Sequence, residues 1–261
     1  METRPCVFAG MFYPGEPSHL EQFIGSVVPG TRSIEDALGI VSPHAGYPYS
    51  GAVAAAAFSA IKPDFDGTII VIGPSHRGYM TCTSAIPWET PLGIVDVDTE
   101  FVSALEIRTD EAAMEDEHSL EVQVPFIKHF FPRARMVAVM MGDQSQQAAA
   151  EVAWQIGQAI QKTGRDVRIV ASSDFSHYIP DAEARRLDRT AIEAIERLDI
   201  DELYRRIAAY GISTCGYGPI AAMMGACKNL GAGRGELLAY ATSGDVTGDR
   251  EVVGYAAIAV V

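Results

Sequence analysis

The sequence predicts an α/β fold in which a mostly parallel or mixed central sheet carries helices on both faces. Apolar runs that end in small or polar residues recur along the chain, and stretches with helical spacing lie between them. The chain has 261 residues and a hydrophobic content of 48%, which is sufficient for a large core. Because no repeat, low-complexity tract or linker interrupts this pattern, we expect a single domain over residues 1–261.

Six apolar runs are predicted to be strands. Continuous apolar runs are typical of strands that are buried on both faces. The runs are Leu38 to Val41, Thr68 to Ile72, Met136 to Met141, Val167 to Ala171, Leu237 to Ala241 and Val252 to Val261. The last two are separated by a short loop rich in turn-forming residues, so they are expected to form an antiparallel hairpin at one edge of the sheet.

The segments between the strands are predicted to be helices. In the clearest case, Val152, Ile156 and Ile160 recur at intervals of four residues and mark one face of a helix. The predicted helices are Ser50 to Ile61, Ser119 to Phe131, Ser145 to Lys162, Ala182 to Leu198 and Ile220 to Leu230. Strands that alternate with helices indicate parallel pairing, since each crossover helix returns the chain to the same edge.

The charge of the chain argues against two classes of partner. The 34 acidic and 20 basic residues give a net charge of −14, which repels phosphate backbones and anionic lipid surfaces. The N-terminal residues lack a signal-peptide pattern, and no apolar run approaches the roughly 20 residues of a membrane span. We therefore expect a cytoplasmic protein with neither nucleic acid nor membrane as a partner.

Three of the six histidines follow predicted strands. His44 comes after the first strand, His76 after the second and His177 after the fourth. The carboxyl ends of parallel strands meet at one edge of a sheet, where ligands commonly bind. Neutral imidazole is a common protein ligand of zinc, iron and copper. The pattern therefore predicts a metal site at this edge.

The residues alone leave the third ligand open. Asp174 lies three positions before His177 and could complete a set of two histidines and one carboxylate, or orient an imidazole. Cys215 precedes a predicted helix whose dipole could lower the thiol pKa, which would make it a ligand or a nucleophile. His118, at the start of another predicted helix, is a weaker candidate.

No CxxC pair occurs, and three cysteines are predicted to be ordinary buried thiols: Cys6, Cys82 and Cys227.

Five motifs in a fixed order resemble those of the Memo family, also called AmmeMemoRadiSam system protein B in archaea and bacteria. The motifs are SPHAGYPYSG, VIGPSH, EDEHSLEVQVPF, SSDFSHY and TCGYGP. A further stretch at residues 9–14, AGMFYP, also fits, so the resemblance covers nearly the whole chain. Five ordered motifs are far more specific than any one of them.

The resemblance implies a fold similar to the class III extradiol dioxygenase beta subunit, an α/β enzyme that cleaves catechol rings with nonheme Fe(II). It also implies that His44, His76 and Cys215 form the metal set. It places three further residues in a catalytic role or in the pocket: His177, Asp174 and His118.

The third ligand separates this sequence from the ring-cleaving enzymes. Where those enzymes present a carboxylate, the sequence offers Cys215, and a thiolate shifts the preference of the site toward copper(I), zinc or thiolate-ligated iron. Catechol cleavage therefore does not transfer with the fold. Fe(II) is the first ion expected here, with copper and zinc as alternatives.

The main functional hypothesis is that the protein is a metal-dependent redox enzyme or a metal-binding redox protein. Its metal would bind at a His/His/Cys site at the carboxyl ends of the strands. His177 would act as a general acid or base with Asp174 holding its ring, and a small organic molecule or peptide would occupy the pocket. The family name further implies radical-SAM and AMMECR-type partner proteins.

Two alternatives remain. The same pocket could serve a non-catalytic module that binds a peptide or a partner protein. Hydrolysis with Cys215 or Ser75 as nucleophile is less favoured, because no GxSxG motif is present and Asp174 is awkwardly placed to orient the far nitrogen of His177.

Overall fold

The computed structural model describes residues 2–30, 34 and 36–261 of the chain. Its strands are β1 (Gly39–Ser42), β2 (Thr68–Pro74), β3 (Cys82–Thr83), β4 (Trp88–Thr90), β5 (Gly93–Val95), β6 (Arg135–Met141), β7 (Val167–Ser172), β8 (His177–Pro180), β9 (Gly235–Thr242) and β10 (Glu251–Val260). Its helices are α1 (Pro17–Val27), α2 (Tyr47–Phe58), α3 (Thr99–Ala104), α4 (Glu111–Met114), α5 (His118–Glu121), α6 (Val124–Phe130), α7 (Gln146–Thr163), α8 (Asp181–Glu196), α9 (Ile200–Tyr210), α10 (Tyr217–Asn229) and α11 (Gly244–Thr247).

The central sheet is mixed, and its middle is parallel. The strand order is β3-β6-β2-β7-β1-β10-β8, with β9 paired to β10. Strands β6, β2, β7 and β1 run parallel to one another, whereas β10 is antiparallel to β1, β8 and β9. This arrangement confirms the predicted fold class. The predicted hairpin of β9 and β10 is also confirmed, with α11 in its connection.

The strands are apolar on both faces because each face packs against helices. Along β2, Ile69 and Val71 belong to one buried cluster, and Ile70 and Ile72 belong to the other. The first cluster includes residues of α1, α2 and α6, and the second includes residues of α7, α8 and α10. This explains why the strands appear in the sequence as continuous apolar runs rather than as alternating ones.

The helix predicted over Ser119 to Phe131 is wrong as a single element. The structure has two short helices here, α5 and α6, and the chain turns between them at Val122 and Gln123. Pro125 stands in the first turn of α6, where its missing N–H costs no hydrogen bond. Helix α2 begins three residues earlier than predicted, because Pro48 is likewise tolerated in the first turn of a helix.

The sequence did not predict several short or amphipathic elements. They are the strands β3, β4, β5 and β8 and the helices α3, α4, α9 and α11. Helix α9 has a single buried apolar side chain, Leu203, so its contribution to the core is small. Within the described part of the chain, no helix is both long and apolar enough to cross a membrane.

Helix α5 lies across the carboxyl end of β2. The Ser119 hydroxyl donates a hydrogen bond of 3.1 Å to the carbonyl of Pro74, the last residue of the strand. A Cβ atom at Gly73 would come within 2.6 Å of Oγ of Ser119 and within 3.0 Å of Leu120. The glycine of the VIGPSH motif therefore permits this close approach between helix and strand.

We expect Gly73→Ala to destabilise the fold by about 1–3 kcal/mol, because the added methyl group overpacks a buried contact. Gly25→Ala is the matched control, since a Cβ there meets nothing within 4 Å inside helix α1. The control should change stability by less than about 1 kcal/mol, in the stabilising direction. Urea unfolding of both variants measures the difference, and equal stabilities would contradict the proposed role of Gly73.

Candidate metal centre

Three histidines meet at the carboxyl edge of the parallel strands. His44 follows β1, His76 follows β2 and His118 opens α5, and one ring nitrogen of each lies within 4.8 Å of the others. The ring centroids of His44 and His76 are 5.2 Å apart, and those of His76 and His118 are 4.3 Å apart. The structure thus joins His118 to the two histidines that the sequence predicted as ligands.

A serine hydroxyl determines which nitrogen of His44 carries the proton. Oγ of Ser172, at the end of β7, lies 2.6 Å from the carbonyl of Ser119, which can only accept, so the hydroxyl proton is used there. The same oxygen accepts a bond from the Gln123 amide at 2.9 Å and lies 2.9 Å from Nδ1 of His44. Nδ1 must therefore donate, and Nε2 of His44 keeps its lone pair for a ligand.

Glu117 performs the same task for His76. Its Oε1 lies 2.8 Å from Nδ1 of His76, and its Oε2 accepts the backbone N–H of His76 at 2.8 Å. Oε1 also accepts the backbone N–H of Ser119 at 2.9 Å and lies 3.6 Å from Nδ1 of His118. Because a carboxylate only accepts, Nε2 of His76 is left with its lone pair, as in the carboxylate–histidine pairs of known metal sites.

Burial keeps the imidazoles of His44 and His118 neutral. It lowers the pKa of His44 well below its usual range, and the neighbouring histidines lower it further. Burial also lowers the pKa of His118 to about 4, with His76 contributing through charge repulsion. For Glu117, burial alone would raise the pKa, but the hydrogen bonds from His76 and Ser119 prevail and lower it. At neutral pH the site thus combines the neutral rings of His44 and His118 with the buried carboxylate of Glu117.

Cys215 lies beside the three histidines. Its Sγ is 3.2 Å from Nε2 of His44, and it accepts the backbone N–H of Asp174 at 3.2 Å. Burial raises the pKa of the Cys215 thiol above its usual range, and the charge of Asp174 raises it further. The expected lowering of this pKa is therefore wrong, because burial and the charge of Asp174 prevail over the hydrogen bonds that favour the thiolate.

Asp174 supports His44 rather than His177. Its Oδ1 accepts the backbone N–H of His44 at 2.8 Å, and burial raises its pKa to about 6. The ring of His177 is instead oriented by Ser213, whose carbonyl lies 2.9 Å from Nδ1 and whose hydroxyl accepts the backbone N–H of His177 at 2.8 Å. The predicted arrangement, in which Asp174 holds the ring of His177, differs from the structure for this reason.

The N-terminal segment closes one side of the cluster. The carboxylate of Glu121, at the end of α5, accepts the backbone N–H of Phe8 at 2.7 Å and the hydroxyl of Tyr13 at 2.6 Å. The ring of Phe12 then packs against His118, with centroids 4.9 Å apart. The EDEHSLE segment thus contains both His118 and Glu121, and the carboxylate of Glu121 holds the segment whose Phe12 ring packs against His118.

Sequence reasoning missed the supporting residues Glu117, Ser172 and Glu121. Glu117 and Glu121 flank His118 in a motif that was noticed, but spacing alone could not show which side chain each carboxylate would meet. Ser172 opens the SSDFSHY motif, and its position at the end of a strand beside β1 was the available signal.

The donor set suits a transition metal. Neutral imidazole nitrogens bind zinc, iron and copper, and an adjacent thiol adds a soft donor once it loses its proton. Two ligands of one tetrahedral ion, with bonds of about 2.0 Å to nitrogen and 2.3 Å to sulfur, lie about 3.5 Å apart. The 3.2 Å between Nε2 of His44 and Sγ of Cys215 is close to that value.

We expect Glu117→Gln to weaken Co(II) binding by roughly 10- to 100-fold, as is usual when a carboxylate behind a ligand histidine is lost. The amide lacks the charge that makes the ring of His76 a stronger donor. Glu115→Gln, an exposed neighbour of the same type, is the control and should leave the affinity unchanged. Competition titration with a chelator gives both values, and equal affinities would argue against the role of Glu117.

Stability of the metal-free protein should fall on acidification. An unfolded imidazole takes up a proton below about pH 6.5, whereas folded His118 resists protonation until about pH 4. The unfolded state then binds more protons in this window, so the free energy of unfolding decreases as the pH falls. His118→Asn should flatten this slope by up to about 1.4 kcal/mol per pH unit. His19→Asn, at an exposed position, should leave this slope unchanged. Urea unfolding at several pH values measures the slopes, and equal slopes in the His118→Asn and wild-type proteins would contradict the role of His118.

Comparison with known proteins identifies the family of the chain. The profile of the family described as "Memo-like protein" matches residues 4–259. A MEMO1 family protein of Methanococcoides burtonii is 44% identical over 98% of this chain and 99% of its own length. Another, of Archaeoglobus fulgidus, is 45% identical over 96% of both chains, and one of Methanosarcina mazei is 42% identical over 100% of both. The chain belongs to the Memo family.

Proposed function

We propose that the protein is a metal-dependent redox protein whose ion is held by His44, His76 and His118, with Cys215 as an adjacent fourth donor. The observation that carries the proposal is the meeting of three imidazoles, two of which have their Nδ1 atoms held by Ser172 and Glu117. Such fixed tautomers prepare a histidine for metal binding. Fe(II) is the ion that we propose first, with copper and zinc as the competing candidates.

A bound redox ion would supply one-electron chemistry and a Lewis-acid centre. The chain's own part is to orient the donors and to control protons. Cys215 must lose its proton to bind an ion, and Nε2 of His44, 3.2 Å from the sulfur, is the nearest ring nitrogen contact of that thiol. Sulfur binding would therefore be accompanied by the release of one proton from the site.

His177 is the proposed general acid or base. Its Nδ1 donates to the carbonyl of Ser213, which leaves Nε2 of the neutral ring able to take up a proton. The ring of His177 is partly exposed, whereas that of His44 is buried. His177 thus has solvent access that His44 lacks.

A second candidate function is the binding of a peptide or partner protein at the mouth of the site. Three tyrosines that follow His44, His76 and His177 within five residues of the sequence are exposed: Tyr49, Tyr79 and Tyr178. Tyr178 has a positive φ of 55°, so its exposed ring is carried by a strained backbone. Radical-SAM and AMMECR-type proteins are the first partners to test on this surface.

Elemental analysis after anaerobic purification tests the metal proposal. We expect nearly one iron or copper per chain in the wild-type protein and a loss of roughly tenfold or more in His44→Ala. Cys215→Ala should bind metal more weakly while the three imidazoles retain part of it. His19→Ala, an exposed histidine on α1, is the matched control and should keep the wild-type content.

The same measurement can reject the proposal. No metal in the wild-type protein, even after anaerobic reconstitution with Fe(II), copper and zinc, would contradict it. That result would favour the binding module, and circular dichroism of each variant would separate lost ligation from lost folding.

A further inference from the structure

Gln144 lies in the segment between β6 and α7 and contacts the loop that carries Cys215. We propose that Gln144 is a positioning residue that fixes this loop, so that the sulfur of Cys215 is held beside the metal-binding imidazoles. The inference rests on the metal-binding function proposed above. It concerns a residue that touches neither the sulfur nor any of the three histidines through the hydrogen bonds of its side chain.

The amide of Gln144 bridges the loop in both directions. Its Nε2 donates to the carbonyl of Cys215 at 2.8 Å, and its Oε1 accepts the backbone N–H of Gly218 at 2.9 Å. One side chain therefore satisfies a carbonyl before helix α10 and an N–H within the first turn of that helix. The amide group supplies both the donor and the acceptor that this bridge requires.

The glycines of the TCGYGP motif make the bridge sterically feasible. A Cβ atom at Gly218 would come within 2.8 Å of Cβ of Gln144. A Cβ atom at Gly216 would come within 2.5 Å of the Ser172 carbonyl, on the opposite side of the loop. Oγ of Ser173 accepts the backbone N–H of Gly216 at 2.9 Å on that side. The loop is thus held between the end of β7 and Gln144.

Helix α9 fixes the backbone of Gln144 in turn. The hydroxyl of Tyr204 donates to the Gln144 carbonyl at 2.8 Å. The Tyr204 ring also meets the ring of Tyr217 edge to face, with centroids 5.6 Å apart. Tyr204 therefore contacts both the residue that holds the loop and the first residue of the helix that follows it.

The backbone of Cys215 is held by hydrogen bonds on both sides, and these bonds fix the position of its sulfur. Its N–H donates to the Asp174 carbonyl at 3.3 Å, and its carbonyl accepts from Gln144 at 2.8 Å. With both sides fixed, Sγ stays 3.2 Å from Nε2 of His44. A ligand must be held to within about 0.5 Å of its working position, so releasing the carbonyl side should reduce sulfur ligation without removing the sulfur.

Co(II) absorption spectroscopy under anaerobic conditions tests the proposal. A cobalt–thiolate bond gives a charge-transfer band in the near ultraviolet, and bound Co(II) gives ligand-field bands in the visible whether or not sulfur takes part. We expect Gln144→Ala to lose at least half of the charge-transfer intensity while retaining the visible bands. Its Co(II) affinity should fall by roughly tenfold.

Three further variants are needed to interpret the spectrum of Gln144→Ala. Cys215→Ala defines the spectrum without sulfur. Gln144→Glu keeps the acceptor for Gly218 but places a carboxylate oxygen against the carbonyl of Cys215, so it should lose the band as well. Gln146→Ala is the matched control, because Gln146 also bridges to α9, through Asp201, and should keep the wild-type spectrum. If Gln144→Ala is unfolded by circular dichroism, Gln144→Glu decides the question.

The outcomes separate this inference from the function on which it rests. Full charge-transfer intensity in a folded Gln144→Ala or Gln144→Glu protein would overturn the positioning role alone. Visible bands without a charge-transfer band in the wild-type protein would also overturn it, while the imidazole site stands. No Co(II) binding by the wild-type protein would instead refute the proposed metal-binding function.

Discussion

The candidate centre depends on the single proton of the Ser172 hydroxyl. That proton goes to the carbonyl of Ser119, which ties the end of β7 to helix α5. The oxygen then has only acceptor capacity left, and Gln123 and His44 both use it. One hydroxyl therefore joins a central strand to the helix that begins with His118, and it also leaves Nε2 of His44 free to bind an ion.

The fold was largely predictable because its strands are buried on both faces. Continuous apolar segments such as 68–72 and 167–171 have few alternatives to a parallel strand between two layers of helix. The single helix expected over 119–131 is interrupted at Val122 and Gln123, because Pro125 has no backbone N–H to donate to the carbonyl of Glu121. The spacing of apolar residues alone does not report this interruption.

The site was predictable only in part. Parallel strands bring their carboxyl ends together, so the proximity of His44 and His76 follows from the order of elements. The support given by Glu117 and the place of His118 depend on how the segment between β5 and β6 returns over β2, which no periodicity encodes. The protonation of Cys215 also escapes sequence reasoning, because it reflects desolvation by distant segments rather than the neighbouring helix.

The centre joins parts of the chain that are far apart in sequence. The contact between Cys215 and His44 spans 171 residues, that between His44 and Ser172 spans 128, and that between Phe8 and Glu121 spans 113. Contacts of such range close large loops and form slowly. The donors are therefore dispersed in the unfolded chain, so an ion bound by all of them would recognise the folded state and stabilise it against unfolding.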